Sequence, residues 1–352
     1  MKHVFFVHSH VTWLVSQGVI RHHEIATKDV LFVCSRGYEP PFNEFERIQF
    51  PDRNWLQPWR PDKWADDKHD LGRFVDQVSQ QSDFCWYLPH TGFPFFTPLI
   101  SHPRCQGFNL IEEGIGSYFT PRALTKSLQR ATACMPGWKG WVYRFWYLLH
   151  PPKMADSRYL FAYGCTEEAF PGYARKIKVD LVGTPPSARE HIGVVLVFDN
   201  LVEAGLVDEM SFGSCVDEAL QILATQGEKT VHYKLHPGQY IDQRYLPGLH
   251  KRLNSNPYNI KLIELPADYC LELLATTGQP EFYVFTSSVG YYAAISGCRV
   301  FSIASLLAER NPRYRILLKT IPEIMSRRIV FISNNQHPTN KTLQSPKTIN
   351  NE

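Results

Sequence analysis

Runs of consecutive apolar residues recur along the chain, separated by polar segments bearing Gly or Pro. Val4–Val7, Val30–Cys34, Asp83–Leu88, Cys105–Glu112 and Arg158–Ala162 read as strands. They are apolar in succession and not in alternation, as expected of strands covered on both faces. Between them, Thr12–Ile20, Asp66–Gln80 and Phe95–Ile100 read as helices. In the second of these, Leu71, Phe74, Val75 and Val78 fall at helical spacing. Residues 37–61 are rich in Pro, Asn and aromatic rings and read as a long loop. The alternation resumes after Gly183-Thr-Pro-Pro-Ser-Ala-Arg-Glu190, which has the punctuation of a domain boundary. Gly193–Phe198, Thr230–Leu235, Ile260–Glu264, Glu281–Phe285 and Arg299–Ile303 are the predicted strands of this half. Cys215–Thr225, Tyr269–Ala275 and Tyr291–Ser296 are its predicted helices.

Strands alternating with helices imply a mostly parallel sheet in each half. The expected division is a first Rossmann-like domain over 1–185, a second over 186–333, and a polar, disordered tail over 334–352. In open α/β sheets ligands bind at the carboxyl ends of the strands, so two such halves are expected to face each other across a cleft.

Composition narrows the partners. A net charge of +3 gives no reason to expect nucleic acid. The eight cysteines form no Cys-x-x-Cys pair and read as reduced, buried thiols of a reducing compartment. The amino terminus has no secretory signal pattern. No apolar run approaches the roughly 18 residues of a membrane span. A cytoplasmic protein, or one peripheral to a membrane, is expected. Residues 136–151, Pro-Gly-Trp-Lys-Gly-Trp-Val-Tyr-Arg-Phe-Trp-Tyr-Leu-Leu-His-Pro, crowd aromatic rings beside Lys139 and Arg144. They admit three readings: core packing, a membrane-interface contact, or an aromatic wall for an acceptor.

The polar clusters of interest follow predicted strands directly. Ser9 follows the first, within His8-Ser9-His10, which reads as a substrate-lining loop, plain surface or a metal-binding pair. Glu112-Glu113-Gly114 follows the strand ending at Ile111. His236-Pro237-Gly238, Glu264 and Ser287-Ser288 follow strands of the second half. Taken singly, these are a solvated turn, a plain turn, a strand-end charge and a helix N-cap. Their common placement at strand ends is what suggests a site.

In this order, Glu112-Glu113-Gly114, His236-Pro237 and Ser287-Ser288 resemble the signatures of the bacterial sialyltransferases and polysialyltransferases. The resemblance implies a GT-B fold, CMP-sialic acid as donor, and no required metal or further cofactor. It implies that an acidic residue between the last two motifs holds the cytidine ribose, and Glu264 fits that place. It also implies a glycan acceptor, free or lipid-linked, such as lipooligosaccharide, O-antigen or capsule, reached from the cytoplasmic face of the inner membrane.

The chemistry suits these residue types. Inverting transfer from a CMP-sugar needs a base for the acceptor hydroxyl and a donor for the departing phosphate. Successive residues at a strand end point to opposite sides, so only one of Glu112 and Glu113 faces the acceptor. The resemblance favours Glu112, with Glu113 bracing the loop. Gly114 and Gly116 would let the backbone turn beneath the sugar. His236 is expected to be protonated beside the phosphate, with Pro237 and Gly238 forming its turn. Ser287 and Ser288 would supply hydroxyl and helix-terminal N–H donors. The nearest alternatives are a CMP-Kdo or other nucleotide-sugar transferase of the same fold, and a non-catalytic glycan- or membrane-binding protein of polysaccharide assembly.

Overall fold

The computed structural model describes residues 1–333 except 42–43, 52–54, 57–59, 91–94, 121, 125, 127–137, 139–140, 143–144, 146–157 and 182–191. The expected tail and the Pro-rich boundary at 183–190 lie outside the described residues, as does most of the 136–151 segment. The chain divides into two compact units. The first comprises 1–189, 268–278 and 320–324, and the second 190–267, 279–319 and 325–352.

The first unit holds a seven-stranded sheet. Its strands are β1 (Lys2–Val7), β2 (Val30–Cys34), β3 (Glu46–Gln49), β4 (Phe84–Leu88), β5 (Cys105–Ile111), β6 (Tyr159–Gly164) and β7 (Lys176–Lys178). Their spatial order is β3-β2-β1-β4-β5-β6-β7, with every pairing parallel. The second unit holds β8 (Val194–Val197), β9 (Thr230–Lys234), β10 (Lys261–Glu264), β11 (Glu281–Val284), β12 (Val300–Ser302) and β13 (Val330–Phe331). Their order is β10-β9-β8-β11-β12-β13, again all parallel. Both are the doubly wound Rossmann order, in which the chain reverses its direction of travel beside the first strand. These are the two Rossmann-like α/β domains expected of a GT-B chain. The reversal points are β1/β4 in the first sheet and β8/β11 in the second.

Both sheets are covered on two faces, which is why Val-Leu-Phe-Val-Cys of β2, Phe-Cys-Trp-Tyr-Leu of β4 and Val-Val-Leu-Val of β8 are buried throughout. In the first unit, α1 (His10–His22), α2 (Trp64–Ser79) and α3 (Phe96–Ile100) follow β1, β3 and β4. Ser9 caps α1: its hydroxyl accepts from Thr12 N–H while the Thr12 hydroxyl accepts from Ser9 N–H. The β5–β6 register shifts between Phe108 and Leu110. Buried Asn109 patches the break, its Oδ1 accepting from Phe161 N–H at 3.1 Å and its amide donating to Cys85 Sγ. That bond keeps the end of β5 in place despite the lost ladder contact.

In the second unit, α4 (Glu209–Thr225) starts six residues before its predicted position, because Asp208 caps it through Ser211 N–H at 2.7 Å. The short α5 (Pro237–Ile241) and α6 (Leu246–Asn254) follow β9. Then come α7 (Leu271–Thr277), which packs with the first unit, and α8 (Ser288–Ile295), which follows β11. The described cysteines are free thiols, and burial pushes Cys85 and Cys215 up to about 12.

Candidate functional site

At the carboxyl edge of the first sheet, the end of β5 places two carboxylates in unlike surroundings. Glu112 is fully buried. One of its oxygens accepts from the Tyr118 hydroxyl at 2.5 Å and the other from Cys165 N–H at 2.7 Å. Burial, and then Glu112 itself, push the Tyr118 phenol far upward, so it stays a donor. Glu112 therefore ties the turn after β5 to the end of β6. The expectation that Glu112 faces the acceptor does not fit this geometry: no face of the carboxylate meets solvent.

Glu113 turns the other way and keeps 18% of its side chain exposed. Its Oε2 lies 3.5 Å from His8 Nε2 and 3.9 Å from His90 Nε2. His8 follows β1 and His90 follows β4, so the three side chains gather at the reversal point of the first sheet. Burial holds His8 well below the usual histidine range, with Arg36 and His90 adding to the effect. Burial also lowers His90, against the opposing pull of Glu113. Two neutral imidazoles thus flank a carboxylate. Both rings stand beside the carboxylate, and burial disfavours the imidazolium that would neutralise it.

The turn beneath Glu113 carries two glycines, of which Gly114 is required by the backbone and Gly116 leaves room for the carboxylate. Gly114 has φ 129° and ψ −145°, a conformation closed to residues with a side chain. At Gly116 a Cβ would stand 2.8 Å from Glu113 Oε1, so the carboxylate lies directly over the glycine. The Ser117 hydroxyl accepts from Glu113 N–H at 3.1 Å and closes the turn. Gly116→Ala is expected to push the carboxylate aside; if Glu113 is a reacting group, turnover should fall by about tenfold to a hundredfold, the scale of a misplaced group. Its unfolding midpoint should barely move. Unchanged turnover in this variant would show that the carboxylate has no need of its seat.

The second sheet gathers another set at its carboxyl edge. His236 lies two residues beyond β9 and caps α5: its Nδ1 accepts from Gly238 N–H at 2.9 Å, and Gln239 Oε1 accepts from His236 N–H. An accepting Nδ1 carries no proton, so the ring proton sits on Nε2. The expected imidazolium would lose this cap, so the geometry describes a neutral ring donating through Nε2. Pro237 occupies the first turn of α5. Gly238 lies under Asn200, whose amide nitrogen would be 2.7 Å from a Cβ there.

At the β8/β11 reversal point, Thr286 donates both its N–H and its hydroxyl to Asp199 Oδ2, at 2.8 and 3.0 Å. Burial raises the Asp199 carboxyl and the two Thr286 bonds work against that rise. This pair sets the turn in which Ser287 caps α8, its hydroxyl accepting from Val289 N–H, and Ser288 begins the helix. Glu264, at the end of β10, accepts from the Tyr233 and Tyr240 hydroxyls at 3.0 and 2.8 Å, with His250 Nε2 3.4 Å away. Buried Lys234 donates to the carbonyls of Pro266 and Ala267 and fixes the chain just beyond Glu264.

Glu113 thus belongs with His8 and His90, whereas Ser9 spends its hydroxyl on the α1 cap. His236, Glu264, Ser287 and Ser288 line one edge of four neighbouring strands. The sequence reading missed His90, Asp199, Asn200, Thr286 and Lys234. Each follows or ends a strand, and strand order, once known, selects those at the reversal points. Among the described residues, no group of three or more His, Cys, Asp or Glu side chains is placed to hold a metal ion.

No family model matches the chain, and no curated protein matches it in sequence. Solved structures of similar fold include the UDP-GlcNAc 2-epimerase of Methanocaldococcus jannaschii in complex with UDP-GlcNAc and UDP, at 12% identity and a TM-score of 0.48. That match covers 92% of this chain and 93% of the other. A trehalose-6-phosphate synthase is similar at 10% identity and a TM-score of 0.44, over 93% of this chain and 98% of the other. A spinosyn rhamnosyltransferase matches at 10% identity and a TM-score of 0.38, over 93% and 88%.

Proposed function

We propose that the chain is a nucleotide-sugar glycosyltransferase, and that within this class it moves sialic acid from CMP-sialic acid to a glycan hydroxyl with inversion and without a metal. The observation that carries the first half is Glu113: a partly exposed carboxylate, flanked by two neutral imidazoles, at a sheet edge where ligands bind. The resemblance of Glu112-Glu113-Gly114, His236-Pro237 and Ser287-Ser288 supports the choice of donor.

In this reading the first unit binds the acceptor and Glu113 takes the proton of its hydroxyl. The freed oxygen forms a bond to the anomeric carbon as the bond from that carbon to the phosphate breaks, and CMP leaves with the electron pair. The His236 Nε2–H, the Ser287 and Ser288 hydroxyls and the first N–H groups of α8 would donate to the phosphate oxygens. Glu264 would accept from the ribose hydroxyls, preset by Tyr233 and Tyr240. The enzyme would work on a surface glycan such as lipooligosaccharide, O-antigen or capsule, peripheral to the cytoplasmic face of a membrane.

The test is incubation with CMP-sialic acid, CMP-Kdo and UDP-GlcNAc in turn, with a panel of galactosides and a chelator, reading nucleotide release and product mass. CMP release with a sialylated product supports the full reading. Transfer from CMP-Kdo or UDP-GlcNAc alone keeps the transferase and moves the donor. No turnover with any donor removes the enzyme reading, and turnover restored only by added magnesium or manganese removes metal independence.

Glu264→Ala is expected to weaken CMP binding about tenfold to a hundredfold, since charge-assisted hydrogen bonds contribute roughly 1.5–3 kcal/mol. Titration calorimetry with CMP reads this directly. An unchanged affinity in the folded variant would leave Glu264 as an anchor for the two tyrosines only.

A further inference from the structure

In the second sheet, β8 lies between β9 and β11. The turn bearing His236 follows β9, and the turn bearing Ser287 and Ser288 follows β11. Neighbouring strands lie roughly 4.8 Å apart, so the two turns stand about two spacings, or roughly 10 Å, from each other. A group held from both sides must rest over the end of β8. Open α/β sheets take their ligands at such a reversal point.

The chain leaves β8 through Phe198, Asp199 and Asn200. Asp199 is buried and pinned to the β11 side, its Oδ2 accepting from Thr286 N–H at 2.8 Å and from the Thr286 hydroxyl at 3.0 Å. The end of β8 is thereby tied to the residue directly before Ser287. Asn200 leans to the β9 side. Its Nδ2 lies 2.7 Å and its Cβ 3.3 Å from the point that a Cβ on Gly238 would occupy, and His236 Nδ1 lies 3.1 Å from that same point. The carboxamide thus fills the space beside the imidazole that glycine at 238 leaves open. Asn200 is half-buried, and its backbone carbonyl accepts from Ala204 N–H at 3.0 Å, which fixes the turn. Among the described residues its carboxamide makes no hydrogen bond, although the group carries two N–H donors. A preset neutral donor between an imidazole and two hydroxyls suits the oxygens of a phosphate.

We infer that Asn200 is a further nucleotide-binding residue, its carboxamide donating to the phosphate between the His236 and Ser287 turns while Asp199 and Thr286 hold the end of β8 beneath it. This deepens the transferase reading above. It rests on the nucleotide of that reading, and not on the sugar, on Glu113 or on the proton of His236.

The test is titration calorimetry of the full chain with CMP and with cytidine, which lacks the phosphate, for the wild type, Asn200→Ala and Asn200→Asp. Asn200→Ala is expected to weaken CMP about tenfold, the scale of one hydrogen bond to a charged group. Asn200→Asp keeps the size of the side chain over Gly238 but sets a negative charge where the N–H stood, so it should weaken CMP about tenfold further. Cytidine affinity should stay within about twofold throughout. A side chain that only fills the space over Gly238 gives the reverse order, with Asn200→Asp close to the wild type and Asn200→Ala the weaker. That order overturns the proposal, as does an equal loss for CMP and cytidine, or an unchanged CMP affinity in both variants. Circular dichroism establishes that each variant is folded, and either one decides through the comparison of CMP with cytidine should the other fail to fold. A wild type that binds UMP and not CMP removes the choice of donor, and the same comparison is then read on UMP and uridine. A wild type that binds neither nucleotide removes the transferase reading and this inference with it.

Discussion

Glu113→Gln is expected to lower transfer by about a hundredfold or more, the scale of a lost general base, while leaving CMP affinity and the unfolding midpoint nearly unchanged. The change keeps the size of the side chain over Gly116 and removes only its basicity. Glu112→Gln should behave in the opposite way. Its carboxylate is fully buried and accepts from two donors, Tyr118 and Cys165 N–H. An amide turned either way confronts one of those donors with an NH2 group. The expected loss is about 1.5–3 kcal/mol of stability, read by urea unfolding, with activity falling only as far as the turn loosens. If Glu113→Gln stays active while Glu112→Gln is inactive and stable, the base is the buried residue after all. Full activity in both variants removes this motif from the chemistry.

The second large effect belongs to His236. His236→Asn is the informative change, because Asn caps helices well and its side-chain oxygen can still accept from Gly238 N–H. It loses the reach of Nε2. A donor aimed at charge developing on the phosphate commonly contributes about 10²–10³ in turnover, so kcat should fall by that order while KM for the donor moves little. Because Nδ1 already accepts from Gly238 N–H, the proposed donation would come from a neutral ring. The wild-type kcat should then show no alkaline limb that His236→Asn removes. An aryl sialoside with a very acidic phenol as leaving group should suffer much less from the substitution. Equal damage with both donors would reduce His236 to a helix cap.

The fold was largely legible because central strands covered on both faces must be apolar throughout, as β2, β4 and β8 are. Edge strands escape that rule. Glu-Arg-Ile-Gln of β3 and Lys-Ile-Lys of β7 carry one half-buried residue each, and β3 fell inside what read as a loop. The helix α6 was not predicted, although Leu249 and Leu253 are spaced for it; Pro247 and Gly248 near its start dilute the helical signal. The site was legible as a set of strand ends, but not in its assignments. Alternation puts Glu112 and Glu113 in unlike surroundings, one buried and one partly exposed. Which side of the sheet is open depends on distant packing, here on Tyr118 and the end of β6. The proton position on His236 depends on a backbone N–H two residues away, which residue type alone cannot reveal.

The carboxylate lying over Gly116 makes side-chain length at 113 and side-chain size at 116 a single variable. A methyl group at 116 takes the room that a Glu at 113 occupies, whereas an Asp, one methylene shorter, would withdraw from it and also from His8 and His90. The two positions are therefore expected to be epistatic: either change alone displaces the carboxylate, and the pair together does not restore its original reach. The residues able to vary independently around the candidate base are consequently few, and mutational libraries that randomise 113 and 116 separately would miss the combinations that matter.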